Sequence, residues 1–143
     1  MKLLVDTNVI LDVLLNRLPW VNGAKEIWLA CDQGNAVGYV PASALTDIFY
    51  IARRATDLTK AHQAVRVCLD AFIICPVDRQ TLEYAYSLPG NDFEDNLQVA
   101  CAILAELDYI LTRDPAGFAS SPLPALSPSE WLNLYRGDLD SSE

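Results

Sequence analysis

The sequence predicts an α/β fold with a mainly parallel sheet covered by helices on both faces. Three observations lead there. Short apolar runs with strand character recur along the chain, segments of helical periodicity separate them, and turn signals punctuate the whole without a linker or an internal repeat. Strands that alternate with helices are joined by crossovers, which make neighbouring strands parallel and place helices over both sheet faces.

Lys2 to Val5 reads as a buried strand and Val9 to Leu15 as the helix after it, followed by a helix from Asn22 to Asp32. The turn Asp32-Gln33-Gly34-Asn35 leads into a strand from Ala36 to Val40. Ser43 to Arg54 carries Leu45, Ile48, Phe49 and Ala52 at core spacing and is a helix. A polar helix around Lys60 to Ala71, a strand from Phe72 to Val77 and a helix from Arg79 to Ser87 come next, with Asp78 placed as the N-cap of the last. Pro89-Gly90-Asn91 breaks the chain before a long helix from Asp92 to Leu107, apolar nearly all round and therefore buried, and the strand Tyr109 to Thr112 follows. After Asp114-Pro115-Ala116-Gly117 the segment SSPLPALSPSEWLNLY predicts a loop, a short edge strand near Leu126 and a short final helix capped by Ser127 or Ser129. Residues 1 to 136 form one domain in this reading, and Gly137 to Glu143 a flexible acidic tail.

The 143 residues, 52% of them hydrophobic, suffice for one packed core. The apolar start is broken at Asp6, too early for a secretory segment, and no run reaches the ~18 apolar residues of a membrane span, so the expected location is the cytoplasm. Cys31, Cys68, Cys75 and Cys101 stand singly in apolar surroundings, with His62 the one histidine; zinc is not expected, and the thiols read as small buried hydrophobes. A formal charge of -9 excludes a broad basic face for sequence-independent nucleic-acid binding. It fits either simple solubility or a centre where carboxylates hold cations. The densest basic stretch is Arg53-Arg54 with Lys60 and Arg66; Arg53 and Arg54 suit either a phosphate backbone or the carboxyl end of their own helix.

Why the first strand should run straight into Asp6-Thr7-Asn8 has two answers. Asp6 or Asn8 caps the next helix, or Asp6 stands at the carboxyl end of a parallel strand, where open α/β sheets bind ligands. The strand Tyr109 to Thr112 delivers Arg113 and Asp114 to the same rim, and Asp95 opens the helix that leads into that strand. An inward carboxylate on a buried helix is costly unless something positive meets it. A cap pair formed by Asp92 and Asp95 is the alternative, but Asp92, Glu94 and Asp95 together exceed what a cap needs. Asp47 lies on a helix flank, where an acid is usually solvated. Clustered carboxylates without His or Cys suit Mg²⁺ or Mn²⁺, and two such ions ~3.5 to 4 Å apart suit phosphodiester hydrolysis.

The stretches Val-Asp-Thr-Asn-Val-Ile-Leu-Asp, Leu-Thr-Asp-Ile-Phe-Tyr, Asn-Asp-Phe-Glu-Asp-Asn-Leu-Gln and Tyr-Ile-Leu-Thr-Arg-Asp-Pro, in this order, resemble PIN domains, in particular the VapC-like ribonuclease toxins of toxin–antitoxin pairs. The likeness spans residues 1 to about 135. It implies a Rossmann-like three-layer α/β/α sandwich and a metal-dependent endoribonuclease acting on single-stranded RNA. Asp6, Asp95 and Asp114 would hold Mg²⁺ or Mn²⁺, with Asp47 as a fourth catalytic acid where many members have Glu. Asn8, Asp92, Thr112 and Arg113 fall on supporting polar positions. The family also implies a homodimer and a small antitoxin protein that blocks the site; Trp20, Trp28 and Tyr50 could line a partner groove or simply pack. A haloacid dehalogenase needs an Asp where Asn8 stands, and a response-regulator receiver needs a late Lys that is missing beyond Lys60. The remaining alternative is a catalytically inactive PIN-like binding module, against which all four acid positions speak.

Overall fold

The computed structural model describes residues 1–141. Five strands, β1 (Lys2–Val5), β2 (Val37–Pro41), β3 (Ile73–Cys75), β4 (Tyr109–Leu111) and β5 (Ala125–Leu126), form one sheet in the order β3-β2-β1-β4-β5. Every pairing is parallel; Leu4 at the centre stands opposite both Tyr39 of β2 and Ile110 of β4. Seven α-helices accompany it: α1 (Thr7–Leu14), α2 (Val21–Asp32), α3 (Ala44–Ala55), α4 (Leu58–Ala71), α5 (Arg79–Ser87), α6 (Phe93–Leu104) and α7 (Pro128–Ser141), with one 3₁₀ turn at Pro115–Phe118. The mainly parallel α/β arrangement expected from the sequence is present. No helix among the described residues is long and apolar enough to cross a membrane.

The period of two along β1 sorts the core into layers. Leu3 and Val5 join Ile10, Ile27, Ile48, Cys68 and Trp131, from α1, α2, α3, α4 and α7, while Leu4 joins Val99, Ala102, Ile110 and Phe118 on the other face. Ala85 of α5 packs on Leu97 and Ala100 of α6 as an outer satellite of that second layer. Full burial of each large side chain such as Leu3, Leu4 or Ile110 contributes roughly 1.5–3 kcal/mol. All four cysteines are free thiols; Cys68, Cys75 and Cys101 are buried, and burial pushes the thiols of Cys68 and Cys101 up to about 12.

The first helix starts at Thr7, two residues earlier than expected, and the strand expected over Phe72 to Val77 is confined to Ile73–Cys75; three further boundaries differ from the sequence expectation for a local reason. Helix α4 starts at Leu58, before Lys60, because the Asp57 carboxylate accepts the Lys60 N–H at 2.8 Å. Helix α6 stops at Leu104 and not Leu107. Glu106 takes a left-handed conformation with φ 56°, and the N–H groups of Glu106 and Leu107 return to the carbonyls of Ile103 and Ala102, closing the helix without the glycine that usually marks such an end. Helix α7 is longer than the short helix expected, and residues 137–141, expected as tail, continue it; residues 142 and 143 lie outside the described ones. Its start is fixed by reciprocal bonds between Ser127 and Glu130, and fully buried Trp131 anchors it to the core. Arg136 further ties it to Glu26 of α2 by an ion pair at 2.6 Å.

Candidate active site

The strand order reverses between β1 and β4, one to each side of the first crossover, and the carboxyl ends of these two strands open a crevice. Asp6 leaves β1 there. Its N–H donates to the Leu111 carbonyl at 2.9 Å, stitching the two strand ends together. Asp6 occupies the N-cap position of α1, yet its side chain makes no capping bond. Instead its Oδ2 accepts the Thr112 hydroxyl at 2.9 Å, and its Oδ1 accepts the Gln98 side-chain amide at 3.3 Å. Of the two answers open for Asp6, the side-chain cap is therefore the one the geometry does not use.

Thr112 is buried and acts twice. While its hydroxyl donates to Asp6, the same oxygen accepts the backbone N–H of Asp114 at 3.1 Å. One hydroxyl thereby sets the position of two acids from two strands. Gln98 and Thr112 are both buried; the Gln98 amide nitrogen and the Thr112 hydroxyl spend their bonds on orienting the Asp6 carboxylate, while Gln98 Oε1 is buried without a partner among the described residues.

Helix α6 contributes the third acid. Asp92 is its N-cap and accepts the Asp95 N–H at 3.0 Å, but no reciprocal bond from the Asp95 carboxylate to Asp92 exists among the described residues. The Asp95 side chain is thus free of the cap. It turns toward Asp114: a methyl group placed on Gly117 would stand 3.1 Å from Asp114 Oδ2 and 3.6 Å from Asp95 Oδ2, so a residue without a side chain leaves the space between these two carboxylates clear. Burial raises the Asp95 pKa above the usual carboxylate range, and the charges of Asp92, Asp6 and Asp114 raise it further.

Glu94, one residue earlier, was not singled out by the sequence beyond the excess of acid around Asp92. Burial raises its pKa too, followed by the charges of Asp47, Asp92, Asp6 and Asp95. Asp47, exposed in the first turn of α3, lines a small cleft with Glu94, Gln98, Thr7 and Ser43. The signal that would have found Glu94 is the crossover geometry that sets the first turn of α6 against that of α3.

Other expected residues lie elsewhere. Arg113 stands between Thr112 and Asp114 in the chain but faces away from the acids: its Nε pairs with Asp12 at 3.1 Å and its guanidinium lies 4.0 Å from the centre of the Trp20 ring. Asn8 is exposed and accepts a long bond from Arg17 at 3.5 Å. Arg53 and Arg54 are exposed at the carboxyl end of α3, beside Tyr50. Trp28 packs edge-on against Phe72, and His62 edge-on against Phe49 at the surface. Among the described residues no three acidic, His or Cys side chains are grouped closely enough to hold a metal ion as they stand. Like charges gathered at one rim repel, and among the described residues the carboxylates of Asp95 and Asp114 make no hydrogen bond that would keep them from rotating.

A family model described as the PIN domain matches residues 2–116. The chain belongs to the PIN domain family. Solved structures of similar fold include DNA-bound VapBC from Salmonella typhimurium, 14% identical with a TM-score of 0.69 over 90% of this chain and 98% of that one. A toxin–antitoxin complex from Klebsiella pneumoniae is 22% identical with a TM-score of 0.66, covering 87% and 96%. VapC20 of Mycobacterium tuberculosis, described as a sarcin-ricin loop cleaving toxin, is 15% identical with a TM-score of 0.62, covering 76% and 86%. At these identities the likeness is one of fold. No curated protein matches the chain. The PIN-like fold expected from the sequence is thus shown by both kinds of comparison.

Proposed function

We propose that the protein is a divalent-metal-dependent endoribonuclease that hydrolyses single-stranded RNA, and that it is the toxin of a toxin–antitoxin pair. The observation that carries the nuclease reading is the pair Asp6 and Asp95: one carboxylate is aimed by buried Thr112 and Gln98, the other is unbonded beside it, and both stand at the point where the strand order reverses. Membership of the PIN family and the toxin–antitoxin complexes of similar fold support the toxin reading.

The donor set fits Mg²⁺ or Mn²⁺, because every side chain in it offers oxygen and none offers sulfur or imidazole. Asp6, Asp95 and Asp114 would hold the ions, with Asp47 and Glu94 facing each other at the far edge. When bound, the ions supply Lewis-acid stabilisation of phosphodiester oxygens and an activated water. The chain itself contributes orientation. Thr112 and Gln98 fix the Asp6 carboxylate, and Thr112 fixes the backbone that carries Asp114. Asp92 caps α6 and so holds Asp95 at the mouth of the crevice. Shorter by one methylene than Glu, Asp47 would support the ions from the edge of the site, through water. Arg53 and Arg54 guide the RNA backbone in this reading, and the protein works as a cytoplasmic homodimer whose site a small antitoxin covers.

The test is cleavage of single-stranded RNA by purified protein with Mg²⁺ or Mn²⁺, with chelator, and as the Asp6→Asn variant. The variant keeps size while removing charge. Cleavage with metal only, lost in the folded variant, is the expected result. Equal cleavage in chelator and by Asp6→Asn overturns it. A second reading, an inactive PIN-like binding module, fits the acids as they stand, since among the described residues no three of them are grouped closely enough to hold an ion; it predicts neither cleavage nor Mn²⁺ binding at this crevice.

A further inference from the structure

We propose that the cavity between the α1–α2 turn and the start of α7 is a subsite for one nucleotide of an RNA strand; this rests on the nuclease reading above and adds where the strand lies. The cavity measures about 400 Å³ and is lined by Pro19, Trp20, Arg113, Ser127, Pro128 and Ser129. It lies on the other side of the Thr112-Arg113-Asp114 segment from the acids. A strand held at Asp114 therefore has its neighbouring nucleotide within reach of Arg113.

The charge of this corner is opposite to that of the chain as a whole. Asp12, buried at 1% exposure, stands between Arg113 at 3.1 Å and Arg17 at 3.7 Å, so two guanidinium groups meet one carboxylate in a chain of charge -9. The pairing through Nε and the Trp20 ring hold Arg113 in place before any ligand arrives, while its two terminal nitrogens have no partner among the described residues. A guanidinium held by an ion pair and an aromatic ring, with its terminal N–H groups unspent, presents parallel donors to a phosphate. Trp20 is 45% exposed, although its large ring would be expected to bury, and Pro19 and Pro128 extend its apolar wall. A flat aromatic next to a fixed cation suits a base beside its phosphate, and stacking of this kind tolerates any base.

The test uses the full chain and adenosine 5′-monophosphate in chelator, so that neither metal nor cleavage enters the readout. Expected are shifts of the Trp20 indole and Arg113 side-chain signals in ¹H–¹⁵N spectra on titration. Trp20→Ala should weaken this binding roughly tenfold, within the range for loss of one stacked base. Arg113→Lys, which keeps Asp12 paired but removes the fork, should weaken it as well. The Trp20→Ala variant should keep the parent's circular dichroism. If adenosine monophosphate moves neither signal, or if Trp20→Ala binds it as the parent does, the subsite is overturned. The same holds if a peptide and not the nucleotide moves these signals. With active enzyme, Trp20→Ala should raise KM for RNA roughly tenfold and leave kcat within about twofold; an unchanged KM overturns the subsite while leaving the nuclease reading intact, and cleavage that is equal in chelator and by Asp6→Asn overturns the nuclease reading whatever the nucleotide titration gives.

Discussion

Two carboxylates six residues apart, Asp6 and Asp12, meet opposite fates. Asp6 sits at the end of β1 with hydrogen-bond donors but no cation beside it. Asp12, one turn and a half further along, is buried on α1 with two cations but no hydrogen bond, since its approach to Arg113 at 3.1 Å has an ion pair's geometry and not a hydrogen bond's. Burial raises the pKa of Asp12, and Arg113 and Arg17 pull it back down. The difference separates two uses of an acid, one buried and the others at the open rim. Asp12 is neutralised from within the chain and holds the α1 face to the end of β4. Asp6, Asp95 and Asp114 are left for a charge that comes from outside.

The largest effect should come from breaking the acid side. Asp6→Asn is expected to lower metal-dependent RNA cleavage by more than about 100-fold, the upper end for loss of a residue that merely orients a ligand, with an unfolding midpoint in urea close to the parent's. Asp12→Ala should do the converse. Stripping a buried ion pair of one partner costs roughly 3–5 kcal/mol, read as a fall in the urea midpoint, and a stability like the parent's would refute the assignment of Asp12 to structure. Thr112→Val sits between them: it removes the hydroxyl shared by Asp6 and Asp114 and should cost about 10- to 100-fold in cleavage at saturating Mn²⁺, with Thr112→Ser close to the parent. Smaller still, charge removal at Arg53 and Arg54 should reduce the slope of log affinity against log salt for RNA by about 1 to 2. An unchanged slope would leave these residues as counter-charges to the carboxyl end of α3. Smallest should be Asp47→Asn, a fall of only a few-fold if water stands between it and the ions.

Much of this comparison was legible in the sequence, and the part that was not has a common cause. Parallel-sheet logic placed Asp6 and Asp114 on one rim from strands more than a hundred residues apart, because strand ends and the alternation of elements are local signals. The N-caps at Asp78 and Asp92 were legible for the same reason. What a side chain does once it reaches the rim is not local. Arg113 was expected beside Asp114, but successive residues leave a strand end in opposite directions, and a buried partner on α1 captures it. Asp12 stands in the sequence as the last residue of the first family-like stretch, with nothing local to give it a role; its worth depends on two arginines, one of them far along the chain. Glu94 required knowing that α3 and α6 meet at their first turns. The stop of α6 at Leu104 rests on a glutamate in a glycine's conformation, which no residue type announced.

The ends of the sheet bear on how this protein meets copies of itself. A strand at the margin of a sheet carries unpaired backbone groups that can template pairing with another chain. Here one margin is β5, two residues long, and the other is β3, three residues long. Ribbons so brief leave little backbone for a second molecule to zip onto, so strand-to-strand aggregation has scarcely any foothold. Self-association, where it occurs, must then run through helix surfaces, whose side chains can choose a partner in a way that bare backbone cannot.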